Sequence, residues 1–116
     1  MYITINHEEL QLTVDTLGAQ MMHLQHRDTE YLWQGDPQYW KDRAPHLFPF
    51  IGRLTNNTYR LGSTVYPMTI HGFAKASVFS VVEKGDDRLV LELTDNPETQ
   101  QQYPFAFSFK IIYHCR

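Results

Sequence analysis

The 116-residue sequence is short of most features that mark a specialised chain. It has one cysteine, Cys115, so no internal disulfide can form, in keeping with a reducing compartment. Its net charge is only −3, and no cluster of Lys or Arg occurs, so the electrostatic footprint of a nucleic-acid binder or an anionic-membrane binder is missing. No apolar run reaches bilayer length, and the opening MYITINHEEL has neither a basic n-region nor an apolar h-region. The sequence therefore reads as cytoplasmic. A Gly-rich phosphate loop, a Gly-x-Ser-x-Gly elbow, internal repeats and low-complexity segments are also missing. Covalent catalysis has no candidate nucleophile.

What is present is a globular composition, 42% hydrophobic and 14% aromatic, in a length that suits one domain. Period-2 alternation predicts strands at Tyr2 to Asn6 and Leu10 to Asp15, then Ala19 to Gln25 with Met22 and Leu24 on one face, and Glu30 to Gln34. Gly62-Ser63 between Thr58–Leu61 and Thr64–Pro67 is a two-residue hairpin signal of type II′. A second hairpin is expected from Val78 to Thr94 about the polar turn Lys84 to Asp87. Asn96 followed by Pro97 predicts one capped helical turn, which Pro104 stops. From Phe105 to Tyr113 the alternation is the clearest in the sequence, with Phe105, Phe107, Phe109, Ile111 and Tyr113 sharing a face.

At least eight closely spaced strands with hairpin turns, and no long amphipathic helices, give an all-β chain built as an antiparallel β-sandwich or barrel. The last strand pattern runs unbroken almost to Arg116, so the chain is expected to be a piece of a longer protein.

The six histidines are His7, His23, His26, His46, His71 and His114. None forms a metal-ligand spacing: His23 and His26, three apart on a strand, point to opposite faces. No metal site is expected. Candidate acids and bases are His71, His46 and the carboxylates Asp36, Asp42 and Glu83, none in a paired motif. Trp40 reads as packing at a sheet rim. Arg53 follows an apolar run and Gly52, and its planar donor fork suits sugar hydroxyls or a carboxylate, although a rim ion pair would explain it equally well. His71, before Gly72, reads in isolation as a histidine bonded to backbone at a tight turn.

The segments Pro45–Phe79, PHLFPFIGRLTNNTYRLGSTVYPMTIHGFAKASVF, and Leu93–Tyr113, LTDNPETQQQYPFAFSFKIIY, resemble the N-terminal part of the aldose 1-epimerase (galactose mutarotase-like) family. Ile3–Trp40 resembles the same branch, a group of aldose 1-epimerase-related proteins of bacterial sugar metabolism, so the likeness covers essentially the whole chain. The resemblance implies that residues 1–116 are the N-terminal part of one large galactose mutarotase-like sandwich domain. It also implies a free hexose as partner, no cofactor, and interconversion of the α and β anomers at C1 by acid/base ring opening.

Carried over to this sequence, Gly52-Arg53-x-x-Asn56 matches the family's Gly-Arg-x-x-Asn segment, which makes Arg53 a substrate-binding donor and Asn56 its loop partner. His71-Gly72 matches the His-Gly element, making His71 an auxiliary group near the ring oxygen. Asn57 stands where many members carry a second Arg, and Ile70 where an Asn precedes the His. The family's principal acid, a second His, and its base, a Glu, belong to later parts of the family chain. Alternative readings are a hexose-6-phosphate 1-epimerase, with Arg53, Lys75, Arg43 and Arg60 as its available cations, or a non-catalytic carbohydrate-binding module. An incomplete sandwich would also expose strand edges and a core face, so self-association of the chain is expected.

Overall fold

The computed structural model describes residues 1–116. The structure is mostly antiparallel sheet with one short helix, a partial β-sandwich. Strands β1 (Tyr2–His7), β2 (Leu10–Asp15), β3 (Gln20–His26) and β4 (Thr29–Glu30) form a four-stranded sheet in sequential order. Strands β5 (Thr58–Leu61) and β6 (Thr64–Pro67) make an isolated hairpin, and β7 (Ser80–Lys84), β8 (Arg88–Thr94) and β9 (Ser108–His114) make a three-stranded sheet. Helix α1 spans Pro97–Gln102. No helix is long and apolar enough to cross a membrane.

One core joins the two larger sheets. Ile3, Ile5, Leu12 and Val14 from β1 and β2 share a buried cluster with Leu89, Leu91 and Leu93 of β8 and with Phe73 and Phe79. The alternation that exposes polar residues on the opposite face of each strand is what directs these side chains inward. The β9 pattern holds from Ser108 onward, with Phe109, Ile111 and Tyr113 packed on the core and Ile112 exposed. Phe105 to Phe107 lie before the strand and instead join an aromatic cluster around Tyr103.

Local signals explain the connections. Gly62 has φ 62° and Ser63 does not have a positive φ, the pattern of a type II′ hairpin. Asn96 accepts from the N–H groups of Glu98 and Thr99, both at 2.9 Å, while Thr99 Oγ1 accepts from Asn96 N at 2.9 Å, a reciprocal cap of the first turn of α1. The helix stops at Tyr103, whose extended backbone is what Pro104 requires of its predecessor.

Two sequence expectations are corrected. Met22 does not share the core face with Leu24. A bulge pairs Thr13 with His23 and Val14 with Met21, leaving Met22 as the extra residue, so Met21 packs inward. The strand expected over Glu30 to Gln34 ends at Glu30. The Glu30 carboxylate accepts from Leu24 N at 2.8 Å and Leu32 N at 3.3 Å, taking up N–H groups that a longer ladder would use, and it pairs with His23 Nδ1 at 2.6 Å.

Burial pushes the Glu30 carboxyl upward, but the His23 bond and the two backbone donors outweigh it and hold the group below its ordinary 4.5. A carboxyl lowered in the folded state stabilises the fold above the ordinary value, and that contribution is lost as the pH falls through the lower folded value. Glu30→Gln should therefore unfold more easily than wild type at neutral pH, with the gap closing below about pH 4.5 as the wild-type carboxylate protonates. Urea midpoints measured across the acid range check this; a gap constant with pH would show that the carboxylate charge contributes nothing.

Candidate functional site

The segment from Ala44 to Phe73 carries the candidate site because two of its parts are laced together by backbone. Phe48 N donates to His71 O at 3.1 Å, His71 N to Gly52 O at 2.8 Å and Ala74 N to Phe48 O at 3.2 Å. Gly52 N in turn donates to the His71 ring at Nδ1, 2.9 Å away. A backbone N–H can only donate, so Nδ1 is the bare acceptor and the neutral ring carries its proton on Nε2. Nε2–H has no partner within the protein, and the ring lines a cavity of 330 Å³.

The turn that presents His71 is tightly built. His71 and Gly72 both have left-handed backbone, φ 64° and 77°, and Gly72 N closes the turn on Thr69 O at 3.0 Å. A Cβ on Gly72 would collide with the Phe48 carbonyl and come within 2.6 Å of Pro49 N. The sequence's His-Gly pair is thus a steric necessity: the residue after His71 must let the Phe48–Pro49 backbone pass.

Phe48 anchors the other side. Its ring stacks on Phe109 with centroids 4.3 Å apart and 9° between planes, and meets Phe73, Phe107 and Tyr103 at 5.1 to 6.1 Å. Phe50 packs on Tyr59 of β5, whose hydroxyl donates to Gln102 O at 2.6 Å. The core of the sandwich therefore holds both ends of the segment that Arg53 extends.

Arg53 is exposed and makes no ion pair or hydrogen bond within the chain, so the rim ion pair that sequence offered as one explanation is not formed. Backbone bonds bring it beside the His71 turn, because Gly52 immediately precedes it. Asn56 and Asn57 have φ 57° and 54° and form a tight turn into β5, closed by Thr58 N on Thr55 O. The Asn56 side chain is exposed and makes no hydrogen bond to Arg53; its small polar group suits the left-handed backbone there. The bonds of Gly52 thus set Arg53 next in the chain to the His71 turn, with Asn56 on the adjoining turn, and neither Arg53 nor Asn56 is among the residues lining the His71 cavity.

The other titratable candidates are accounted for by scaffold contacts, with one exception. His46 Nε2 lies 2.9 Å from Tyr113 Oη and 3.1 Å from Ala19 O, and Tyr113 Oη donates to Ala19 O at 2.7 Å. Burial pushes the His46 ring below its usual range and the Tyr113 phenol up to about 12. This trio ties the segment to β9 and faces the core. Asp36 caps Gln38 N at 2.9 Å and Glu83 pairs with Arg88 at 2.9 Å. His23 and His26 sit beside Glu30 and Glu9, and no three His, Cys, Asp or Glu side chains converge. The exception is Asp42, which pairs with its neighbour Lys41 at 3.8 Å and also lines the His71 cavity together with Trp40 and Lys75. Sequence order hides that grouping, because 29 or more positions separate Asp42 and Trp40 from His71.

The family model described as aldose 1-epimerase matches residues 1–115. The chain is 32% identical, over 97% of its length, to the plasmid-borne protein LacX of Lactococcus lactis, and spans about 40% of the length of that curated relative. Among solved structures, it superposes on a galactose mutarotase related enzyme from Lactobacillus acidophilus with a TM-score of 0.97 at 33% identity, covering 100% of this chain and 39% of that one. A galactose mutarotase-like protein from Lactobacillus casei gives 0.94 at 34% identity, covering 98% and 40%.

Proposed function

The chain belongs to the aldose 1-epimerase family, and from that membership we propose that it supplies the sugar-holding half of a site that interconverts the anomers of a free hexose, as the N-terminal part of one sandwich domain. The observation that carries this reading is the bond from Gly52 N to His71 Nδ1. It leaves Nε2–H as a neutral, oriented donor, suited to the ring oxygen of a pyranose. Arg53 offers its donor fork to the hydroxyls, and Asn56 adds an amide on the neighbouring turn.

Anomerisation needs a base to take the C1 hydroxyl proton while an acid delivers one to the ring oxygen. The C1–ring-oxygen bond then breaks to give the open aldehyde, which rotates and closes on its other face. His71 suits the hydrogen-bonding part of that work. Its Nδ1 is committed to Gly52, so it has no route to reload a proton from within the chain, and it is assigned no principal acid role. The principal acid and base are assigned to sequence outside residues 1–116.

Polarimetry of freshly dissolved α-galactose or α-glucose tests the division of labour. The purified 116-residue chain is expected to leave the anomerisation rate at that of buffer, since each missing proton-transfer group ordinarily contributes on the order of 10² to 10⁴ in rate. Anomerisation well above the buffer rate would put a working acid and base inside this chain and overturn the assignment.

A further inference from the structure

The cavity beside His71 holds three side chains that the proposed function does not use: Trp40, Asp42 and Lys75. Trp40 is 52% exposed, so the packing role read from sequence leaves about half of its surface free. Its indole N–H has no partner in the chain, whereas Trp33 Nε1 donates to Trp40 O at 2.8 Å and helps fix the loop that carries it. Arg43 fastens the same loop, with Nη1 on Met22 O at 2.7 Å and on Gln34 Oε1 at 3.0 Å. The platform is therefore held in place before any ligand arrives, which lowers the ordering cost of binding.

Its chemistry is that of sugar recognition. An aromatic face packs on the C–H face of a pyranose, and hydroxyls, each both donor and acceptor, need partners of both kinds. The cavity supplies an acceptor, the Asp42 carboxylate, and two donors, the Lys75 ammonium and His71 Nε2–H. Its volume of 330 Å³ lies at the small end of ligand sites, a size for one sugar ring rather than a chain of them. The lining holds one carboxylate and one ammonium, and Lys41 Nζ lies 3.8 Å from Asp42 Oδ1, so the carboxylate is an acceptor whose charge already has a neighbouring cation.

We propose that Trp40, Asp42 and Lys75 form the specificity face of the site, fitted to a single monosaccharide ring, with Trp40 as the stacking platform. This rests on the reading that the site takes a sugar. The test is ¹H–¹⁵N correlation spectra of the 116-residue chain during titration with galactose and glucose, the Trp40 indole signal being identified from Trp40→Phe. With either hexose, the Gly52 amide and the Trp40 indole should shift along one binding curve. Trp40→Ala, at a half-exposed position that the fold does not need, should weaken hexose binding roughly tenfold, and Trp40→Phe much less.

If Gly52 responds while the Trp40 indole stays still, or if Trp40→Ala binds as wild type does, the specificity face is wrong and the sugar site at His71 stands. If no signal moves with any sugar, the sugar-holding reading itself fails and takes the specificity face with it.

Discussion

Gly72→Ala is expected to be among the most damaging single substitutions in the chain, costing about 3–5 kcal/mol as the sum of left-handed backbone strain and a backbone collision. The second contribution dominates. At Gly72 a methyl group would enter the Phe48 carbonyl and approach Pro49 N to 2.6 Å, and neither is a side chain that can swing away. The two segments would have to separate, breaking the bonds of His71 and Ala74 to the Phe48–Gly52 strip. Gly52 provides the internal control: its φ of 83° is equally left-handed, but a Cβ there would meet nothing within 4 Å. Gly52→Ala should therefore cost only about 1–2 kcal/mol. Urea denaturation of the two variants decides the matter, and similar losses would mean that the Phe48–Gly72 crossing is looser than described. Against a total stability of about 5–15 kcal/mol for a small domain, the Gly72 change can leave the chain largely unfolded.

Phe48→Ala should cost about 3 kcal/mol, the toll of deleting a large aromatic from a packed cluster, somewhat reduced because the ring is only partly buried. Its stacked contact with Phe109 and its tilted contacts with Phe73, Phe107 and Tyr103 would all be lost. The consequence reaches the site, since the backbone of Phe48 both donates to His71 O and accepts from Ala74 N. Phe48→Leu, which refills part of the volume, should recover about half of the loss. Thermal or urea unfolding measures both, and amide exchange at Gly52 and His71 should accelerate in Phe48→Ala more than in an equally destabilised core variant such as Leu91→Ala. Equal acceleration in the two would separate the aromatic cluster from the site.

Much of the scaffold was legible because its signals are local. Alternation found β1, β2 and most of β9, the Gly62-Ser63 pair found the β5–β6 hairpin, and Asn96-Pro97 found α1. Expectations failed where a side chain or a bulge competed with the ladder. Glu30 captured two backbone donors and ended β4, and the extra residue Met22 put Met21 on the core face of β3 while Leu24 kept its place there. Phe105 and Phe107 keep the strand's alternation without its ladder: Phe107 N donates to Asp95 Oδ1 at 3.1 Å and Phe105 O accepts from Gln100 Nε2 at 3.2 Å, while both rings pack on Tyr103.

The site was legible in outline only. His71 and Gly72 are neighbours in sequence, so the tight turn could be anticipated, and Arg53 was singled out by its place after Gly52. The bond that orients the imidazole could not be read, since it joins Gly52 to a ring 19 positions away. The company of Trp40 and Asp42 with His71 and Lys75 was hidden for the same reason: two stretches of chain, 40–47 and 71–75, meet at the cavity, and nothing in their order announces it.

The imidazole of His71 is where the whole functional account can be tested at one atom. A two-bond ¹H–¹⁵N correlation of the histidine rings near neutral pH, before and after addition of galactose, reports which nitrogen carries the proton and whether the ring senses the sugar. The account predicts a protonated Nε2 and a bare Nδ1 in the free chain, with the Nε2 signal moving as galactose binds. A proton on Nδ1, or a His71 ring indifferent to saturating sugar, would contradict it.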